Sequence, residues 1–207
     1  TRTPLLRVPA LDEALGCEVY LKFEGFQVMG AFKLRGAMNK ALSLTQEELD
    51  RGIVCASSGN HAQGVACAAH RLGARAVIVM PTNANPVKLA GVKAFGGQVE
   101  LVGTLGSQRE GRAAQLVEQE GMVNVHPYAG PYVAAGQGTI GLEIIEDQPA
   151  LDAVAVPIGG GGLISGVATA VKGLAPQVKT IGVEPAGADR YARSRAAGQP
   201  VTLDKVD

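Results

Sequence analysis

An α/β fold with a mainly parallel sheet is predicted by three observations. Short β-rich runs alternate with helical stretches along the whole 207 residues. Most of those runs are continuously apolar, as strands covered on both faces are. Glycine is doubled, 28 residues or about 14% against a usual 7%; with no collagen-type repeat, those glycines serve turns and close backbone approaches.

In chain order, the first strand is expected at Val19–Phe23, followed by a helix that begins near Lys33. Thr45 to Glu48 has the S/T-x-x-E form of a capping box and opens the next helix. Ile53–Ala56 and Ala76–Met80 are predicted strands, with Gly73 between them where a helix end needs a left-handed residue. Asn85-Pro86 reads as an N-cap with proline at the first helical position. Val99–Val102 is the next strand, Ser107 to Glu110 a second capping box, and Gly121 a second helix stop. Val123–His126, Ala153–Ile158 and Thr180–Val183 complete the strand set. Gly136-Gln137-Gly138-Thr139-Ile140-Gly141 matches GxGxxG, but it lies inside a helical pattern and does not follow a strand directly, so it does not read as a dinucleotide site.

Composition limits the function. Lys plus Arg and Asp plus Glu both number 19 and the formal net charge is zero, which leaves no basic field for nucleic acid or an anionic membrane. Trp is absent and aromatics are 4%, too few for a base-stacking surface. The hydrophobic share of 46% supports a substantial core. Cys17, Cys55 and Cys67 form no CxxC pair and read as reduced thiols of a cytoplasmic protein, Cys55 and Cys67 as core residues. His61, His70 and His126 are too scattered for a metal trio, and His70 reads as an exposed helix residue. Thr1 to Leu6 carries no signal-peptide pattern, no apolar run is long enough for a bilayer, and the missing initiator Met predicts a piece of a longer chain.

In a parallel α/β fold, ligands gather where strand ends meet helix N-termini. Ser57-Ser58-Gly59-Asn60-His61-Ala62-Gln63-Gly64 follows the Ile53–Ala56 strand. It carries more polar side chains than capping needs, at a helix start whose free N–H groups suit a carboxylate or phosphate. Gly159-Gly160-Gly161-Gly162-Leu163 follows the Ala153–Ile158 strand. It can wrap a phosphate with bare backbone, and it lacks the GK[ST] ending of a Walker A loop. Gly30-Ala31-Phe32-Lys33-Leu34-Arg35-Gly36-Ala37 sets a lysine among apolar neighbours, where the neutral amine is favoured. Such an amine suits a Schiff base, although this stretch alone reads better as an ordinary surface lysine.

A lysine for a carbonyl, a glycine loop for a phosphate and a polar loop for a carboxylate together describe pyridoxal 5'-phosphate plus an amino acid. With Arg2-Thr3-Pro4-Leu5, Ala135–Glu143 and Gly182-Val183-Glu184-Pro185 added in order, the chain resembles the serine/threonine dehydratase (ammonia-lyase) and serine racemase family of fold-type II pyridoxal-phosphate enzymes. That resemblance implies two interleaved three-layer α/β/α domains. Residues 1–50 and 130–207 would belong to the larger, cofactor-binding domain, incomplete here, and residues 51–129 to a smaller mobile one. It implies that Lys33 carries the cofactor and later moves the α-proton, that Phe32 lies beside it, and that Asn60 bonds its ring hydroxyl. Gly159, Gly160, Gly161, Gly162 and Leu163 would hold the phosphate; Ser57, Ser58, Asn60 and His61 would meet the substrate, with Ser58 as the opposite-face acid/base hydroxyl.

The implied activity is deamination of L-threonine or L-serine to a 2-oxo acid and ammonia, the threonine reaction serving isoleucine biosynthesis. The alternatives are a serine racemase, a hydroxyaspartate ammonia-lyase, or a truncated, non-catalytic pseudoenzyme. β-Replacing synthases share the fold but usually lack a histidine at the place of His61. The chain also departs from the family. Ala31 replaces a usual Ser, and Tyr128 stands where serine racemases have Asn. Arg190 replaces the carboxylate that would join Glu184 and the Ala188 carbonyl in a divalent-metal site, so no metal is expected unless Asp189 substitutes. The chain also ends before the Ser or Thr that faces the pyridine nitrogen. A cytoplasmic homo-oligomer, dimer or larger, is implied, with a small amino acid as its partner and neither nucleic acid nor membrane.

Overall fold

The computed structural model describes residues 1–203. These residues divide into two compact units, Thr1–Gln137 and 138–203.

The first unit opens with a small antiparallel pair, β1 (Leu5–Arg7) and β2 (Tyr20–Lys22), joined through helix α1 (Pro9–Leu15). Its main body is a parallel sheet of order β5-β4-β3-β6, made of β3 (Ile53–Ala56), β4 (Ala76–Met80), β5 (Gln98–Leu101) and β6 (Val123–Asn124). The intervening helices are α2 (Lys33–Leu42), α3 (Gln46–Arg51), α4 (Asn60–Arg71), α5 (Pro86–Ala94) and α6 (Gly106–Glu120). Alternate strand residues face opposite ways, and both directions are filled. Ile53, Cys55, Ala76, Ile78 and Met80 pack with Ala37, Val65, Ala66, Ala69 and Val92 of α2, α4 and α5. Val54, Val77 and Val79 pack with Ala113 and Leu116 of α6. That double covering is why β3 and β4 read as unbroken apolar runs, and both match their predicted bounds.

The second unit contains the rest of helix α7 (Pro131–Asp147), which begins in the first, and a parallel pair β7 (Ala153–Pro157) and β8 (Lys179–Val183) with α8 (Gly162–Leu174) between them. Helix α9 (Arg190–Ala197) follows. Here the expectation of two covered faces fails. Val154 and Val156 are buried while Ala153, Ala155 and Pro157 are exposed, and Ile181 and Val183 are about half exposed. Among the described residues only one side of this pair is covered.

The predicted starts and stops fare unevenly. Thr45 and Glu48 form the reciprocal capping box, and Asn85 Oδ1 accepts from the Val87 N–H ahead of Pro86. Gly73 and Gly121 have positive φ at the ends of α4 and α6. The Ser107–Glu110 box does not form. Helix α6 begins one residue earlier, at Gly106, and Gln108 Oε1 takes the N–H groups of Thr104 and Leu105 instead. Strand β1 was not predicted, and β6 ends two residues before His126.

The GxGxxG run lies in α7, as its pattern indicates, and its glycines serve packing. A Cβ at Gly136 would meet the Arg35 carbonyl at 2.5 Å and Gly36 Cα at 2.6 Å. One at Gly138 would meet the Gly166 carbonyl at 2.9 Å, and one at Gly141 the Val167 carbonyl at 3.0 Å. Helix backbones in contact need glycine there for want of room, not for a ligand. Cys55 and Cys67 are buried and His70 is exposed, as expected, and Cys17 is exposed. No helix among the described residues is long and apolar enough to cross a membrane.

Candidate active site

Lys33 is the first residue of α2, and Gly64 lets α2 come close. A Cβ at Gly64 would meet the backbone of Lys33 and Leu34 at 3.3 Å, so the second turn of α4 holds the start of α2. The Lys33 side chain is half-buried and its Nζ donates to the Pro127 carbonyl at 2.6 Å, just past β6. Burial pushes its amine below the ordinary lysine value, because desolvation disfavours the charged form. Nζ also lies 5.3 Å from the Phe32 ring centre. Ala31, in place of the usual serine, is buried.

The start of α2 is braced from behind. Glu24 takes both ends of the Arg35 guanidinium, Nε at 2.8 Å and Nη2 at 2.9 Å, and accepts from Thr3 Oγ1 at 2.6 Å. Arg35 is 8% and Glu24 16% exposed at the side chain, so this fork-to-carboxylate pair is largely shielded from water. It gives Thr3 of the opening Arg2-Thr3-Pro4-Leu5 motif and Arg35 of the lysine motif one structural purpose.

The polar loop sits between β3 and α4. Ser57 is partly buried, Ser58 and Asn60 are exposed, and His61 is buried. Gly59 caps the helix with no side-chain cap bond, which leaves the first N–H groups of α4 facing the loop. Asn60 Oδ1 accepts from Lys88 Nζ of α5. His61 behaves unlike its neighbours. It is 3% exposed, its Nε2 donates to the Val125 carbonyl at 2.7 Å, and its Nδ1 is buried with no hydrogen-bond partner among the described residues. Burial, with Lys33 and His126 nearby, lowers its pKa to about 4 against the pull of the Val125 bond. The ring is therefore neutral, and it ties β6 to α4.

Residues after β6 complete this cluster, and the sequence reading assigned them no site role apart from Tyr128. His126 Nδ1 accepts from the N–H groups of Tyr128 and Ala129, at 3.3 and 2.9 Å, which places its proton on Nε2. Its ring meets Tyr128 edge-on with centres 4.5 Å apart. Burial holds His126 below its usual pKa, with Lys33 adding to the effect. The available signal was position: His126-Pro127-Tyr128 follows the carboxyl end of a parallel strand, where sites form.

In the second unit, Gly159 to Gly161 leads into α8. A Cβ at Gly159 or at Gly161 would meet nothing within 4 Å, in contrast to the crowded glycines of α7. Gly161 has φ of 88° and caps α8 with no side-chain bond, and Ser165 N–H is bonded to its carbonyl. The loop thus presents bare backbone at the positive end of a 13-residue helix, a fit for a phosphate. Taken each by itself, the desolvated lysine amine has the chemistry to meet the carbonyl of pyridoxal phosphate and the open glycine loop the chemistry to meet its phosphate. The proposed metal residues are otherwise engaged: Glu184 accepts from the Tyr191 and Ala192 N–H groups, and Asp189 pairs with Arg193. Among the described residues no three His, Cys, Asp or Glu side chains cluster to hold a metal.

Comparison with known proteins agrees with this chemistry. The family described as pyridoxal-phosphate dependent enzyme matches the chain over residues 1–207. The L-threonine ammonia-lyase of Thermotoga maritima is 47% identical over 212 residues, covering 99% of this chain and 53% of that protein. Serine racemase of Oryza sativa subsp. indica is 43% identical, covering 100% of this chain and 61% of that one. Among solved structures, the processed form of threonine deaminase isoform 2 from Solanum lycopersicum superposes with a TM-score of 0.97 at 45% identity, over 100% of this chain and 57% of that chain. Maize serine racemase gives 0.98 at 42% identity, over 100% and 63%. The chain spans about half to three-fifths of the length of these relatives.

Proposed function

The chain belongs to the pyridoxal-phosphate dependent enzyme family, and from that premise we propose that it is the N-terminal part of an ammonia-lyase that deaminates L-threonine or L-serine to a 2-oxo acid and ammonia. The observation that carries this reading is Lys33: a half-buried amine with a lowered pKa, held at 2.6 Å by a backbone carbonyl. Pyridoxal phosphate, when bound, supplies a carbonyl for that amine and an electron sink for charge left on the substrate α-carbon.

The remaining roles fall to the chain's own groups. The neutral form of Lys33 Nζ takes the α-proton, as a base of lowered pKa can near neutrality. Gly159, Gly160, Gly161, Gly162 and Leu163 hold the phosphate, Phe32 lies beside the ring, and Asn60 donates to the ring hydroxyl. Ser57, Asn60 and His61 hold the substrate carboxylate. For His61 the group offered is the backbone N–H, since its ring is committed to Val125. Once the α-proton and the β-hydroxyl have left, the resulting enamine gives a 2-oxo acid and ammonia with water. In this reading residues 51–129 are the smaller, mobile domain and residues 1–50 and 130–207 part of the larger, the enzyme works as a cytoplasmic homo-oligomer, and the threonine reaction feeds isoleucine biosynthesis.

A serine racemase is the second reading, and it rests on Ser58, whose exposed hydroxyl stands at the start of α4 and could return a proton from the opposite face. Tyr128, set edge-on against His126 where racemases keep Asn, favours the lyase. The test is to incubate the full-length protein and pyridoxal phosphate with L-threonine, L-serine and D-serine, following 2-oxo acid and enantiomer content. A 2-oxo acid from the L-substrates supports the lyase. D-serine from L-serine with little 2-oxo acid replaces it with the racemase, and neither product overturns both.

A further inference from the structure

Lys88 sits in the first turn of α5, two residues after the proline that starts that helix. A cation there opposes the helix dipole, so the local helix gives no reason for it. Its contact lies elsewhere, on Asn60 Oδ1 at the start of α4. The same two helices meet at Gly91, where a Cβ would meet the Gln63 amide nitrogen at 2.5 Å. Gly91 follows Lys88 by three residues, and Gln63 follows Asn60 by three. One helical turn thus separates the Gly91–Gln63 contact from the Lys88–Asn60 contact on both helices.

A lysine ammonium has donors only, and an asparagine amide has one accepting and one donating end. With Oδ1 taken by Lys88, the end of Asn60 left for any other partner is Nδ2. We infer that Lys88 is a positioning residue for the cofactor site, fixing the Asn60 amide so that its N–H end faces the acceptor oxygen on the pyridine ring, and adding a positive charge behind that oxygen. The inference rests on the proposed role of Asn60.

The experiment compares wild type, Lys88→Met, Lys88→Arg and Lys93→Met as full-length holoprotein. Lys93 is an exposed lysine in the last turn of the same helix, so its replacement controls for charge alone. The readouts are the dissociation constant of pyridoxal phosphate and the pH midpoint of its bound visible absorption, with thermal unfolding as the check on folding. Losing one charge-assisted hydrogen bond should weaken cofactor binding about tenfold in Lys88→Met. It should also move the spectral midpoint upward, because a cation that opposed protonation has gone. Lys88→Arg should restore most of both, and Lys93→Met should match wild type. Unchanged affinity and midpoint in Lys88→Met overturns the inference while the cofactor reading stands, as does an equal change in Lys93→Met. A wild type with no visible band overturns the cofactor reading and this inference with it.

Discussion

Lys33 Nζ donates to the Pro127 carbonyl at 2.6 Å, across 94 positions of sequence. The contact joins the first residue of α2 to the segment after β6, and His61 secures that segment by its bond to Val125, two residues earlier. The amine is thus held by backbone, which stays in place whichever protonation state Lys33 has.

Protonation of Lys33 should be visible in stability. Its folded pKa is below the ordinary 10.5, so between the two values the unfolded chain binds more protons and stability rises with pH. Unfolding temperatures without cofactor, measured for wild type and Lys33→Met from pH 7 to 10, should show the wild type gaining on the variant as pH increases. A constant difference across that range would place the amine at its ordinary pKa.

His61 predicts the acid limit. Its pKa falls from 6.5 to about 4 on folding, so the unfolded state binds the extra proton between those values and stability is lost as pH falls through them. The full shift corresponds to about 3 kcal/mol. In His61→Gln, which keeps a donor for Val125, urea midpoints should fall less steeply from pH 6.5 to 4 than in wild type. Parallel slopes would show that other groups set the acid response.

Two glycines should respond in opposite ways to the same substitution. Gly136→Ala drives a methyl into the backbone of Arg35 and Gly36 and should cost about 1 to 3 kcal/mol of stability. Gly159→Ala adds a methyl to open space, so stability should shift by less than about 0.5 kcal/mol while affinity for pyridoxal phosphate falls. Calorimetry with a cofactor titration separates the two, and unaltered affinity in Gly159→Ala would remove that residue from the phosphate site.

Glu24→Ala leaves the Arg35 guanidinium, 8% exposed, without its carboxylate and should destabilise the chain by about 3 kcal/mol. The double variant Glu24→Ala, Arg35→Met should be more stable than Glu24→Ala alone, since the stranded charge has gone. Urea unfolding of wild type, Glu24→Ala, Arg35→Met and the double variant checks this, and additive losses would show that the pair is not coupled.

Much of this was legible in the sequence where local chemistry speaks for itself. Ile53–Ala56 and Ala76–Met80 stood out because both sides of each strand meet a core cluster. Asn60 and the glycine run stood out because they are excessive or costly as ordinary loop residues, and Lys33 gained meaning only beside them. Strand β1 did not, since three residues, none of them buried, owe their strand state to a partner fifteen or so positions away. Pro127 was invisible because a backbone carbonyl leaves no mark on residue type. Lys88 was invisible because its partner Asn60 lies 28 positions away on another helix. His61 read as a polar loop residue, yet its ring turns inward to Val125, and only packing reveals that.

Whether Lys33 is the amine that carries the cofactor is decided by borohydride reduction of the holoprotein followed by peptide mapping. Reduction should abolish a visible absorption band and leave the reduced pyridoxyl group on Lys33, and Lys33→Ala should show no band. A label on another lysine, or a band that persists in Lys33→Ala, would contradict that role.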